Sequence, residues 1–192
     1  MAGVNLLVVG SGGREFAIAK KLKESPHVAH VYCAPGNVGM PTVGVEPVNI
    51  DEEDFPSLIE FAKAHHVAWT FVGPENCLVD GIVDQFHAAG LKIFGPTARA
   101  AQLEGSKEYA LAFMNKYHVP TAHFVACPSE ATALDHIDQF GFPLVIKENG
   151  LAGGKGVVIA PDQATAEQTV KEMFAAGQTE LVLEECLVGP EY

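Results

Sequence analysis

Three short glycine-containing stretches in the first half of the chain have the composition of anion-binding loops: "GSGG" (Gly10–Gly13), "APGN" (Ala34–Asn37) and "GPE" (Gly73–Glu75). Glycine lets backbone N–H groups approach an anion closely, and a helix starting after the first stretch would present its positive end there. Ser11 adds a hydroxyl. Glu75 adds a carboxylate able to accept hydrogen bonds from sugar hydroxyls or an amine, or it is a solvated loop acid. Asn37 either joins such a site or serves a turn. The first stretch begins like a dinucleotide fingerprint, G-x-G-x-x-G. The third glycine position is Glu15, however, and the next strand ends Tyr32-Cys33-Ala34-Pro35, with no acid for a ribose hydroxyl. A more general phosphate loop survives, and a tight strand–helix turn explains this one loop equally well.

A second constellation is "VIKENGLAGGKGVVIA" at Val145 to Ala160. It is not a Walker loop: position 149 is Asn, position 156 is Gly, and a β-branched strand follows where a helix is required. A glycine-rich turn between two strands, with Lys147 before it and Lys155 within it, suits a polyphosphate: the ammonium groups offset charge and the backbone wraps it. The alternative is a surface hairpin with solvated lysines, but so many glycines are costly to order without a reason. The closing strand, "ELVLEEC", carries Glu184 and Glu185 at its end, placed for ribose hydroxyls or beside an adenine, or simply exposed. His27 and His30 have H-x-x-H spacing across a turn with no third ligand, which reads as a solvated pair. No Ser-His-Asp or Cys-His arrangement stands out.

The elements that must position these residues alternate. Leu6–Val9, Val28–Cys33, Ala68–Val72 and Lys92–Phe94 read as strands. Glu15–Lys23, Asp54–His65 and Leu78–Ala89 read as helices. This rhythm predicts a parallel sheet with helices on both faces, so the three loops share one carboxyl edge, where open α/β sheets bind ligands. The pattern changes near Glu104. Helices at 106–117, 129–140 and 162–176 and strands at 122–126, 144–147, 157–160 and 180–185 predict a small α+β unit with an antiparallel hairpin. Two domains follow, 1–104 and 105–192. The last residues begin a new segment without a terminal helix, so the chain is expected to be the front part of a longer protein.

Hydrophobic residues make up 48% and charged residues 19% of 192, which places the chain among globular proteins rather than disordered ones. The formal charge of −12 disfavours nucleic acid and anionic membrane as partners. Cys33, Cys77, Cys127 and Cys186 form no C-x-x-C pair and sit in or beside apolar segments, as reduced thiols of a cytoplasmic protein do. No targeting segment is visible, and no apolar run approaches the roughly 20 residues that span a bilayer.

Together, "VVGSGGRE", "VYCAPGNVG", "FVGPE", "GLKIFGPT", "AAQLEGSKEYA", "VPTA", "VIKENGLAGGKGVV" and "LEECLVGPEY" resemble the phosphoribosylamine–glycine ligases, an ATP-grasp family of purine biosynthesis, over essentially the whole chain. "LEGSK" and "GLAGGKGVV", in this order and spacing, are the most specific stretches. The resemblance implies an α/β fold: a preATP-grasp (Rossmann-like) parallel-sheet domain followed by part of an ATP-grasp domain of α+β type. It implies that ATP activates glycine as glycyl phosphate, which the amine of 5-phosphoribosylamine attacks to give glycinamide ribonucleotide, ADP and phosphate. By resemblance, Lys107, Lys147 and Lys155 hold ATP phosphates, Lys155 in the catalytic role. The loop of Gly150, Leu151, Gly153, Gly154, Lys155 and Gly156 closes over them, and Glu184, Glu185 and Leu187 border the adenosine. Gly10, Ser11, Gly12, Gly13, Asn37 and Glu75 hold phosphoribosylamine. The cofactors implied are ATP and Mg2+ or Mn2+, with metal ligands expected beyond residue 192. The partners implied are glycine and 5-phosphoribosylamine, with no nucleic acid or membrane and a monomeric full-length form. A catalytically incompetent fragment, or another ATP-grasp carboxylate–amine ligase, is the alternative. The chain departs from the family pattern at Phe16 (usually His), Cys77 (usually Pro), Leu111 (usually Lys) and Glu148-Asn149 (commonly Ala-Asp).

Overall fold

A computed structural model describes residues 3–153 and 155–190. The chain divides into two compact units, Met1–Ala101 and Gln102–Tyr192. The N-terminal unit runs β1 (Val4–Gly10), α1 (Gly13–Lys23), β2 (Val28–Pro35), a single 3-10 turn (Met40–Val43), β3 (Glu46–Pro47), α2 (Phe55–Ala64), β4 (Val67–Val72), α3 (Glu75–Val79), α4 (Ile82–Ala88) and β5 (Ile93–Phe94). The strands form one sheet in the order β3-β2-β1-β4-β5, and every pairing is parallel.

β1 lies at the centre, and its side chains alternate as a strand requires. Leu7 and Val9 join a core with Phe55 and Leu58 of α2 and Ile82, Val83 and Phe86 of α4. Val8 faces a second core with Ala19 of α1, Val31, Cys33, Met40 and Val45. Helices therefore cover both faces, as the alternating pattern predicts. α2 starts where Asp54 accepts the Ser57 N–H at 3.1 Å, with Pro56 in the first turn, where its missing N–H is harmless.

The helix expected over 78–89 is two helices. Gly81 sits between them at φ +88°, a left-handed conformation that ends α3 and restarts the chain as α4. The apolar positions at 78, 82, 83 and 86 continue a helical stripe across that break, which hides it from periodicity. α5 (Ala98–Gly105) was not predicted, and the division between the units falls within it.

The C-terminal unit contains α6 (Lys107–Lys116), β6 (Phe124–Cys127), α7 (Glu130–Asp135), β7 (Leu144–Glu148), β8 (Val157–Ala160), α8 (Gln163–Ala175) and β9 (Leu181–Glu185). Its sheet is antiparallel throughout, in the order β6-β9-β7-β8. Leu144, Ile146, Leu181 and Leu183 pack with Ala133 of α7 and Ala166 and Val170 of α8. Side-chain caps fix the helix starts: Ser106, Ser129 and Asp162 accept the backbone N–H groups of Tyr109, Thr132 and Thr165. α7 stops at Asp135, short of the predicted Phe140. No described helix is long and apolar enough to cross a membrane.

Candidate substrate and nucleotide sites

In the N-terminal unit the three loops leave the carboxyl ends of the neighbouring strands β2, β1 and β4. Backbone bonds carry the sheet pattern into them: Gly36 N–H donates to the Gly10 carbonyl and Gly73 N–H to the Val9 carbonyl, each at 3.1 Å. Asn37 is both a turn residue and a link between loops. Its Oδ1 accepts the Gly39 N–H at 2.9 Å, while its Nδ2 donates to the Ser11 carbonyl at 2.8 Å.

Glu15 is the centre of this cluster. It is 3% exposed, its Oε2 accepts the Gly12 N–H at 2.8 Å, and its Oε1 pairs with Arg14 Nε at 2.8 Å. A Cβ added at Gly73 would stand 1.9 Å from Glu15 Oε1, and one at Gly10 would stand 2.6 Å from Glu15 Cγ. The anion that these glycines admit is thus the protein's own. Glycine at 10 and 73 makes room for a buried carboxylate, and Glu15 fills the third position of the failed fingerprint with a group that caps α1. A capping-box reading of Gly12-x-x-Glu15 would have found it.

Arg14 joins the loops around that carboxylate. Its Nη1 donates to Glu75 Oε1 at 2.8 Å and its Nη2 to the Gly73 carbonyl. The Arg14 hydrogen bond is the main reason that the Glu75 carboxyl lies below the usual carboxylate range. Gly10, Ser11, Gly12, Gly13, Asn37 and Glu75 therefore come together at one edge, with Arg14 and Glu15 as the residues that sequence reasoning missed. Burial pushes the neighbouring Cys33 thiol up to about 12. The departures at Phe16, Cys77 and Leu111 are packing residues: Phe16 lies against the core of Val8 and Met40, Cys77 is buried beside α4, and Leu111 is buried in α6.

In the C-terminal unit the glycine-rich turn joins β7 to β8. Lys147 Nζ pairs with Glu184 Oε2 at 2.6 Å, and Glu184 is 5% exposed, so its carboxylate is the counter-ion of Lys147. Lys107, the first residue of α6, donates from Nζ to the Gly150 carbonyl at 2.7 Å and from its N–H to the Asn149 carbonyl at 3.0 Å. Asn149 completes the joint. Its Oδ1 accepts the Glu108 N–H at 2.9 Å and the Ser106 hydroxyl at 3.2 Å, while its Nδ2 donates to Glu180. Burial, and then the nearby Glu108 carboxylate, push the Glu180 carboxyl up. The "LEGSK" and "KENG" stretches, about 40 residues apart in the chain, are thus a single structure.

Farther round the turn, Gly153 has φ +56° and Lys155 is exposed, its N–H donating to the Ala152 carbonyl at 3.0 Å. Gly156 is buried, and a Cβ there would stand 2.5 Å from Ala152 Cβ. Leu151 is exposed, and Gly154 lies outside the described residues. Glu185 is engaged with the residue preceding β6: its Oε1 accepts the His123 N–H at 2.8 Å. Leu187, past the end of β9, is exposed. Among the described residues no group of three or more His, Cys, Asp or Glu could hold a metal ion.

The family model described as phosphoribosylglycinamide synthetase, N domain, matches residues 4–104. The model described as phosphoribosylglycinamide synthetase, ATP-grasp (A) domain, matches residues 105–192. The chain belongs to the phosphoribosylglycinamide synthetase family. It is 48% identical to the phosphoribosylamine–glycine ligase of Lactococcus lactis subsp. lactis, over 98% of this chain and 46% of that protein. The solved phosphoribosylamine–glycine ligase of Thermotoga maritima superposes with a TM-score of 0.74 at 30% identity, over 97% of this chain and 45% of that one. The N5-carboxyaminoimidazole ribonucleotide synthetase of Thermus thermophilus shares the fold, with a TM-score of 0.69 at 19% identity over 95% of this chain and 47% of that one. The chain thus spans about half the length of the relatives it matches. Within the family, its parallel sheet belongs to the N-domain match and its antiparallel sheet to the ATP-grasp match.

Proposed function

We propose that this chain carries the sugar-phosphate site and part of the ATP site of an enzyme that joins glycine to 5-phosphoribosylamine. The observation that carries the reading is the Lys107–Gly150–Lys147 arrangement. Two ammonium groups are held at the start of a glycine hairpin, one on a carbonyl and one on an enclosed carboxylate. A polyphosphate can replace the Gly150 carbonyl as the acceptor for Lys107 and share Lys147 with Glu184. In this reading, residues 1–104 are the substrate domain and 105–192 the first part of the ATP-grasp domain.

In the proposed reaction an oxygen of the glycine carboxylate attacks the γ-phosphorus of ATP, and ADP leaves. The amine nitrogen of phosphoribosylamine then attacks the acyl carbon of glycyl phosphate, inorganic phosphate leaves with the C–O electron pair, and the proton lost by the nitrogen passes to that phosphate or to solvent. Lys107, Lys147 and Lys155 offset the triphosphate charge so that a carboxylate can approach it. The hairpin of Gly150, Leu151, Gly153, Gly154 and Gly156 excludes water, and Glu184, Glu185 and Leu187 border the adenosine. The N–H groups of the α1 first turn, with Ser11 and Gly13, take the sugar phosphate, while Gly10 and Gly12 shape the loop around Glu15. Asn37 and Glu75 face the sugar amine. Mg2+ or Mn2+ would add positive charge on the ATP phosphates when bound. A cytoplasmic, monomeric enzyme without nucleic-acid or membrane partners completes the proposal.

Amide NMR of the 192-residue chain tests the two sites separately. Ribose 5-phosphate should shift Gly10–Gly13 and Asn37, and ATP should shift Lys107 and Gly150–Gly156. Shifts confined to other regions with both ligands would refute the assignment.

A further inference from the structure

We infer that Arg14 is a positioning residue that aims Glu75 at the ligand's amine, with Glu15 as its buried anchor. This rests on reading the three loops as the site for a phosphorylated sugar amine.

The guanidinium has five N–H donors in a rigid plane. Three of its contacts are defined: Nε to Glu15 Oε1, Nη1 to Glu75 Oε1, and Nη2 to the Gly73 carbonyl. The Glu15 end cannot shift. Its side chain is 4% exposed and enclosed by Gly10, Gly12 and Gly73, where any added Cβ would collide with it. The Glu75 end is different, with its side chain 48% exposed. A planar group fixed at one end and hydrogen-bonded at the other transmits the position of a buried carboxylate to an accessible one. Arg14 engages Oε1 of Glu75, and the carboxylate remains half exposed.

Charge sets the ligand's direction. One guanidinium between two carboxylates leaves the cluster with a net charge of −1. Such a cluster attracts N–H and O–H donors. The amine-bearing carbon of the sugar therefore belongs beside Glu75. The lowered Glu75 carboxyl agrees with this, because it stays an acceptor through the physiological range.

The test uses the intact chain with Arg14→Gln and Arg14→Lys. Two quantities are read: the titration midpoint of the Glu75 carboxyl carbon by NMR, and the dissociation constant of ribose 5-phosphate with and without ammonia, which converts it to the amine. In Arg14→Gln the Glu75 midpoint should rise toward the ordinary carboxylate value. The tighter binding of the amine form should fall about tenfold, while ribose 5-phosphate alone changes less than twofold. Arg14→Lys should recover part of both. If Arg14→Gln unfolds the unit, Glu75→Gln keeps the Glu15–Arg14 pair and should give the same selective loss. An unmoved Glu75 midpoint, or equal weakening of both probes, overturns the inference. If the wild-type chain binds neither probe, the reading of the site fails, and the Glu75 titration still decides whether Arg14 acts on it.

Discussion

Gly73→Ala should break the N-terminal site without touching a ligand. The new methyl would stand 1.9 Å from Glu15 Oε1, 2.5 Å from its Cδ and 2.7 Å from its Cγ, so the Glu15 side chain must leave its enclosure. Overpacking of this kind costs about 1–3 kcal/mol. Loss of the Gly12 N–H bond and displacement of an enclosed carboxylate from Arg14 add about 1–3 kcal/mol. The sum, about 4 kcal/mol, would lower the urea midpoint of the unit by roughly 2 M at a slope near 2 kcal/mol/M. The single tryptophan, Trp69, lies in β4 and reports this unit by fluorescence. Gly13→Ala is the control. Nothing lies within 4 Å of its added Cβ, and it opens α1, so it should be neutral or stabilising by a few tenths of a kcal/mol. Adding Glu15→Ala to Gly73→Ala removes the collision, so the two substitutions should be non-additive by at least about 1 kcal/mol. A Gly73→Ala midpoint within about 0.3 M of wild type, or strict additivity with Glu15→Ala, would refute the claim that these glycines exist to admit Glu15.

Asn149→Asp should destabilise the C-terminal unit by about 1–3 kcal/mol at neutral pH, because the Nδ2 donor to Glu180 becomes a third carboxylate beside Glu180 and Glu108. Glu180 already protonates more readily in the folded chain, so the penalty should shrink as pH falls from neutrality through its raised pKa; urea melts at pH 7 and pH 5 check both signs. Asp54 and Asp162 titrate below their ordinary value because they accept side-chain or backbone hydrogen bonds from Ser57 and Thr165. Their stabilisation is therefore complete above about pH 5 and lost as pH falls through the lower folded values, and Asp162→Asn should flatten the acid limb of the melting curve. Burial pushes the thiols of Cys33 and Cys77 up to about 12 and that of Cys127 up to about 11, so a thiol reagent at pH 8 should label Cys186 in the native chain and the other three only on unfolding. Lys147→Met should leave Glu184 enclosed without a counter-ion, at a cost of about 3–5 kcal/mol in thermal or urea unfolding, and Lys147→Arg should retain most of the stability.

Much of the architecture follows from local pattern. The apolar run at Leu6–Val9 bounded by Gly10 specifies a buried parallel strand, and the spacing of strands and helices places the three loops on one edge. β3 escapes such reading because it is two residues long and contains Pro47. α5 escapes because nothing in the sequence separates it from α6 except the Gly105-Ser106 cap. The candidate site was visible as residue types but not as a network. Nothing near Glu15 says that its carboxylate will rest against Gly73, because that contact exists only once β1 and β4 pair. Asn149 is the same case. Beside a glycine turn it looks like a turn residue, and its partners at Ser106, Glu108 and Glu180 become neighbours only through folding. Of the apolar departures, Leu111 is explained by burial in α6 and Phe16 by packing against the core of Val8 and Met40.

The most direct test of the central claim is a chimera in which residues 1–192 replace the matching segment of the Lactococcus lactis phosphoribosylamine–glycine ligase. Supplied with ATP, glycine and phosphoribosylamine, the folded chimera should form glycinamide ribonucleotide with one phosphate released per product. ADP formation or ligation that requires a carboxylate other than glycine, or no product from a chimera that is folded and binds ATP, would contradict it.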